Sequence, residues 1–382
     1  MEIQTQSSGS AVGDDFVFAL LNAERELSPA GNVVLSPLAL SFAFGMTMNG
    51  CGSATRQQLA RVLGFDTAQP LADMNQRYAQ LLADIAGTTE VDLDLANSLY
   101  APNGTLFDAG FLASAQSIFD ARVRLLDYND PAAVVVMNSY ICQKTKGKIA
   151  SILASATDLS DARLLLLNAA YFHGFWNVGF DRDKTSETQF ETADGGSKFC
   201  SLMQRRGIIA YQRQAAYEAV RLPYGESGRF ALYAFLPSCS FGLAGLTAML
   251  SALSAGGFAT ACLRFLPCHG DLFLPRLRVE YASDFQASFQ RLGLSSILDS
   301  SSGDLTMDKA ASGKTGMRHR AAMELDESGP LLNPRSSQLR LRSFMVGAPF
   351  YLKFDRSFCF VVRDEQNRSI SMAGIVNQTS AS

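Results

Sequence analysis

Three histidines, His173, His269 and His319, are the chain's only imidazoles. None stands in an HExxH pair, and no serine occupies a GxSxG turn. Neither zinc-assisted hydrolysis nor acyl transfer through a Ser–His pair therefore has a signature here. Ser312-Gly313-Lys314-Thr315 has the end of a phosphate-binding loop, but Asp308 stands where the first glycine is needed. Without that glycine the backbone cannot close around a phosphate. The seven cysteines, Cys51, Cys142, Cys200, Cys239, Cys262, Cys268 and Cys359, are odd in number and never in CxxC spacing. That is neither a zinc pattern nor a disulfide framework. It points to reduced thiols in a cytosolic protein, with one exposed thiol able to link two copies. The chain is read as a non-enzyme with no metal and no cofactor.

One segment carries chemistry of another kind. Arg340-Leu341-Arg342, preceded by Gln338-Leu339, alternates charged and apolar residues. It suits a solvated edge strand, a weak polyanion patch, or an exposed cleavage site for a protease that prefers arginine. It lies within residues 326–349, the longest stretch without a regular pattern, and a long loop inside a compact domain is usually functional. The net charge of -3 gives no bulk attraction to nucleic acid or to an anionic membrane. The longest apolar stretch, near residues 164–172, is too short to cross a bilayer.

The elements that must position this segment follow from periodicity. Asp14-Asp15 caps an apolar run over 16–21 that opens a first helix. Ser36-Pro37 opens a second helix running to Met48, and Asn49-Gly50 ends it. A third helix covers 55–62, and further helices are expected over 134–153 and 283–292. Alternation over 91–100 marks a strand, and the run at 164–172, apolar on both faces, marks a strand covered on both sides. Residues 219–223, 230–236, 263–267, 272–279 and 358–363 continue the series. Strands and helices without strict alternation give an α+β class. No repeat, linker or composition break divides residues 1–382, and 47% hydrophobic residues supply a sizeable core.

Five ordered motifs then resemble the serpin family over almost the whole chain. Asn32-Val33-Val34-Leu35-Ser36-Pro37 is similar to its N-[IV]-x-x-S-P opening. Asn138-Ser139-Tyr140 with Thr145-Lys146-Gly147-Lys148-Ile149 resembles IN-x-W-V…T-x-GKI, with Tyr140 at the tryptophan. Residues 167–176, LNAAYFHGFW, resemble VNAIYFKGxW, followed by Phe180, Thr185 and Phe190 at family spacing. Leu274-Pro275-Arg276-Leu277 resembles LPK-[FL]. Phe354-Asp355-Arg356-Ser357-Phe358-Cys359-Phe360 and Gly374-Ile375-Val376-Asn377 resemble A-D-[HR]-P-F-x-F…G-x-[VI]-x-[NS]-P, with Phe354 and Ser357 departing from it. The resemblance implies three β-sheets, eight to nine helices and an exposed reactive loop near the C-terminus. It also implies a single-use trap. A protease cleaves the loop, and its N-terminal half inserts as a new central strand before the acyl-enzyme deacylates. Ser36, Asn168 and His319 match the family's polar cluster under the central strands, with Ala39 at a usual serine. Trp176 matches the tryptophan at the top of the sheet, and Glu327 and Arg276 match a carboxylate and a base that pair there. The first residues, Met1 to Ser8, lack a basic and an apolar signal region. The expectation is a cytoplasmic protein, with release from cells left open, like the intracellular and poxvirus-encoded branches.

The hinge departs from that pattern. Inhibitory members resemble E-E-G-T-E-A-A-A-A-T; here Glu327-Ser328-Gly329 is followed by Pro330-Leu331-Leu332-Asn333-Pro334-Arg335-Ser336-Ser337. On an inserted strand Pro330, Leu332, Pro334 and Ser336 would point into the core. Proline lacks the N–H a central strand needs. Each orphaned carbonyl costs roughly 1–3 kcal/mol, and Leu332 in place of a methyl adds about 1–3 kcal/mol of overpacking. Hinge and loop together span residues 327–349. Counting forward from Gly329 places the cleaved bond near Ser343, and counting back from Phe354 places it near Val346. Arg340, Arg342, Ser343 and Phe344 are the candidates. The expected partner is a protease, or another protein bound without trapping. A disulfide-linked or loop-sheet oligomer is the third reading, with no nucleic acid and no membrane.

Overall fold

In the computed structural model, residues 13–159, 162–238, 242–294, 314–330 and 347–379 are described. Leu332, Pro334, Arg340, Arg342, Ser343 and Phe344 lie outside them, as does Cys239.

A strongly apolar helix is the most enclosed of the described ones. Every residue of α2 (Pro37–Met48) is buried. Ser36 caps it by accepting from the Ala39 N–H at 3.2 Å, and Pro37 fills the first position, where a missing N–H costs nothing. Gly45 lets Tyr78 and Phe119 close on it: a Cβ there would meet the Tyr78 ring at 2.6 Å. Around it pack α1 (Asp14–Leu27), α3 (Ser53–Val62), α4 (Leu71–Ala86) and α9 (Gln286–Arg291).

The first sheet has five strands in the order β10 (Leu277–Ser283), β11 (Lys314–Leu325), β4 (Ala162–Gly174), β2 (Val91–Pro102) and β3 (Arg122–Leu126). The apolar run of β4 divides between its faces. Leu164 and Leu166 join the core around α2, and Leu165, Leu167 and Tyr171 pack with α6 (Ala132–Lys144). At the centre β11 and β4 are parallel and directly paired, from Lys314 opposite Ala162 to Glu324 opposite His173.

The second sheet has nine strands, in the order β1 (Val33–Leu35), β14 (Ile370–Val376), β13 (Phe358–Asp364), β8 (Phe230–Pro237), β7 (Tyr217–Pro223), β6 (Ser197–Arg213), β9 (Leu266–Pro275) and β12 (Phe350–Lys353). Its ninth strand, β5 (Asp181–Glu191), pairs with β6. Three sheets are expected from the resemblance; among the described residues two of them run together by hydrogen bonding into this nine-stranded sheet. The reason is β6, whose 17 residues pair with β5 at one end, β7 at the other and β9 between.

Several element boundaries differ from expectation. Asp14 and Asp15 sit in the first turn of α1, and Gly13 is its N-cap without a side-chain bond. The helix expected over 134–153 stops at Lys144, because Lys146 and Gly147 take positive φ of 50° and 79°. Residues 263–265 are not strand: Leu263 caps α8 (Gly257–Cys262), and β9 begins at Leu266. The strand expected over 272–279 is two strands, parted where the Arg276 N–H turns to the Ser201 carbonyl. Ser283 ends β10 instead of opening a helix.

Candidate functional site

Two polar clusters lie along the β11–β4 seam. The deeper one joins α2 to the sheet. His319 on β11 is fully buried; its Nδ1 donates to Asn168 Oδ1 at 2.5 Å, and its Nε2 accepts the Ser36 N–H at 3.1 Å. Those two bonds fix the tautomer as Nδ1–H. Burial pushes the His319 pKa down to about 3, so the ring is neutral. Asn168 donates to the Ala39 carbonyl at 2.8 Å and to Asn97 Oδ1, its cross-strand neighbour on β2. The Ser36 hydroxyl donates to the Ser371 carbonyl at 2.8 Å. One network thus ties α2, β2, β4, β11 and β14.

The second cluster lies at the top of β11, where residues 326–330 run against the connection after β4. Trp176 Nε1 donates to the Asp326 carbonyl at 2.6 Å, and the Trp176 indole stacks on Tyr224 with centroids 4.4 Å apart. Backbone donors hold the next carbonyls: Phe180 N–H to Glu327 at 3.2 Å, Trp176 N–H to Ser328 at 2.8 Å and Gly179 N–H to Pro330 at 2.8 Å. Gly329 has φ 153°, and a Cβ at Gly179 would lie 2.5 Å from its carbonyl oxygen. Two glycines are needed for so close a backbone approach. The buried Glu327 carboxylate accepts from Thr185 Oγ1 at 2.8 Å and has Arg276 Nη1 at 3.8 Å. The Arg276 side chain is 42% exposed, so solvent screens that ion pair.

His173 also meets this cluster, with Nε2 3.2 Å from Asp326 Oδ2. The bond to Asp326 raises the His173 pKa above its ordinary value, against burial, which lowers it. The same bond, with the Ser328 N–H behind it, holds the Asp326 carboxyl well below the usual carboxylate range.

The structure thus gathers Ser36, Asn168 and His319 in one cluster and Trp176, Arg276, Glu327, Gly329 and Pro330 in another. Sequence reasoning missed Asn97, Asp326, His173 and Gly179 as members of these clusters. Their only signal was indirect: Asn97 faces Asn168, and Asp92 faces His173, once β2 and β4 are placed antiparallel. Strand alternation does not provide that register.

The architecture is α+β, with two hydrogen-bonded sheets among the described residues and a central parallel pair, β11 and β4. The family profile described as Serpin (serine protease inhibitor) matches residues 11–379. The chain belongs to the serpin family. It is 28% identical to a leukocyte elastase inhibitor of Sus scrofa, over 96% of this chain and 98% of that one. It is 29% identical to Iripin-3 of Ixodes ricinus, over 92% and 90%. Among solved structures, native protease nexin-1 with heparin superposes with a TM-score of 0.82 at 22% identity, covering 96% of this chain and 98% of that chain. Maspin superposes with a TM-score of 0.83, also at 22% identity, covering 96% and 97%.

Proposed function

We propose that this chain presents its reactive segment to a protease but traps it poorly, so that it is cut as a substrate or acts by binding. Relatives named as leukocyte elastase inhibitors support a protease as the partner class. The observation that carries the weak-trap reading is Pro330. It is the first residue beyond the glycine of the hinge, it has no N–H, and its carbonyl is already held by the Gly179 N–H. To insert, the segment must leave the Gly179, Trp176 and Phe180 donors and part β11 from β4 along their whole pairing. It must then form a ladder that lacks a donor at Pro330 and again at Pro334. If about 3 kcal/mol of that cost enters the barrier, insertion slows roughly a hundredfold. Trapping is a race between insertion and deacylation, so such a delay favours release of active protease.

The test is a denaturing gel after mixing with a trypsin-like protease at several ratios. Clean cleavage within residues 340–346, with protease activity intact, is expected. A boiling-resistant band of summed mass would overturn the reading and make the chain a working suicide inhibitor.

A further inference from the structure

His173 ends the buried run of β4 with a group that titrates. The sheet register sets it opposite Asp92 on β2 and opposite Glu324 on β11. Asp326, at the base of the reactive segment, completes the ring of acids. Each imidazole nitrogen faces a carboxylate: Nε2 lies 3.2 Å from Asp326 Oδ2, and Nδ1 lies 3.9 Å from Asp92 Oδ2. Glu324 is drawn aside by Arg278 on β10 at 2.9 Å, and the remaining side is covered by the Phe175 ring. A neutral imidazole has one N–H and would turn a lone pair toward one of the two carboxylates. Only the imidazolium turns an N–H toward both, hydrogen-bonded to Asp326 and in longer-range attraction to Asp92. The surrounding carboxylates accordingly raise the His173 pKa above 6.5, and the Asp326 hydrogen bond contributes most.

Asp326 is mechanically tied to the hinge. Its carbonyl takes the Trp176 indole N–H, its carboxylate takes the Ser328 N–H, and the next carbonyls are held by Phe180, Trp176 and Gly179. With the proton on His173, a cation sits between Asp326 and the acids of β2 and β11. Without it, Asp326 loses its cationic partner and faces Asp92 across a neutral ring, with Glu324 still held by Arg278, and repulsion loosens the base of the segment from the β4 connection.

We propose that His173 is the positioning residue of the hinge: as imidazolium it pins Asp326, and with it residues 326–330, to the connection after β4, and on losing its proton it releases them. The sign follows from the raised pKa. The latch is closed below the ordinary histidine range and opens as pH rises through the higher folded value, so the reactive segment is freest at neutral to mildly alkaline pH. This holds whether or not the released segment goes on to trap a protease.

The chain's single tryptophan, Trp176, sits on the latch and reports it without a protease. Emission of the full-length protein is followed from about pH 5.5 to 9, where one released proton shifts the opening equilibrium by up to about tenfold per pH unit. The wild type should show one transition above pH 6.5. His173→Lys, with a permanent cation, should keep the low-pH emission throughout. His173→Gln and Asp326→Asn should both show the high-pH emission throughout, and far-ultraviolet circular dichroism checks that each is folded. At one neutral pH the Gly179 and Phe180 amides should exchange faster in His173→Gln than in His173→Lys. A wild-type transition that persists in His173→Gln or in Asp326→Asn would overturn the proposal. So would a wild-type emission that stays flat while the fold is intact.

Discussion

His319 and His173 lie on the same seam and answer pH in opposite directions. His319 is sealed and neutral, with a folded pKa of about 3 against an unfolded value near 6.5. Between those values the unfolded chain binds a proton that the folded chain refuses, so stability falls as pH drops from about 6.5 toward 3. The loss reaches on the order of 4 kcal/mol. Urea midpoints measured at neutral pH and near pH 4.5 should show that decline, and His319→Gln should flatten it while lowering stability at neutral pH. A decline of equal size in the variant would place the acid sensitivity elsewhere. His173 has a raised folded pKa, so its contribution is complete below 6.5 and fades as pH rises through that folded value. Asn168 joins three partners in the buried cluster, and Asn168→Ala would strand the Nδ1–H of His319 and the Ala39 carbonyl. A cost of about 2–4 kcal/mol is expected from thermal or urea unfolding, since orphaned buried polar groups cost about 1–3 kcal/mol each.

At the scale of the element, residues 326–330, proposed above as the hinge, continue β11 and are held against the connection after β4. Their backbone is anchored through the Asp326, Glu327, Ser328 and Pro330 carbonyls, which take the Trp176 indole N–H and the backbone N–H groups of Phe180, Trp176 and Gly179, so a substitution at Gly179 acts through sterics. Gly179→Ala places a methyl group 2.5 Å from the Gly329 oxygen and 2.8 Å from its carbonyl carbon, both backbone atoms that cannot step aside cheaply. The variant should lose about 1–3 kcal/mol and expose the hinge to proteolysis, as for other overpacked sites. An unchanged unfolding midpoint would show that the two backbones can part without loss. Replacing Pro330 by Thr, Leu332 by Ala and Pro334 by Ala restores ladder donors and small side chains together. If the proline argument is right, the triple variant forms a boiling-resistant complex with a protease that merely cuts the wild type. Failure of the variant to do so would move the obstacle from the hinge to the length of the loop.

At the scale of the molecule, the trapping that the family resemblance implies would add a strand to the five-stranded sheet, between the β11 and β4 now paired there. A chain that inserts its cleaved segment gains a new central ladder and should melt at a much higher temperature. Should the prolines block insertion outright instead of delaying it, the melting temperature after cleavage would stay within about 2–4 °C of the intact protein, a stability change of the order of 1 kcal/mol. A large upward shift on cleavage would show that insertion goes to completion despite both prolines. The cores below and beside the seam do not depend on the outcome. The α2 core and the cluster between the sheets use residues from both ends of the chain, including Val34, Phe358 and Val376.

Local pattern determined much of this protein by itself. The apolar filling of 37–48 with Ser36 and Pro37 ahead of it specified a buried, capped helix, because capping and burial act within a few residues of one another. The doubly apolar run of β4 specified a strand covered on both faces. Family motifs located Ser36, Asn168, His319, Trp176, Glu327 and Arg276, and the prolines of the hinge were plain in the sequence. Only the tertiary structure decided which of these residues meet. Strand alternation assigns a face but not a partner strand or a register, so the pairing of Asn97 with Asn168 and of Asp92 with His173 was invisible beforehand. The same holds for the bridge from His173 to Asp326, which joins residues 153 positions apart. Hydrogen bonding and charge act over a few ångströms, and at this seam those ångströms were set by how β2, β4 and β11 lie side by side.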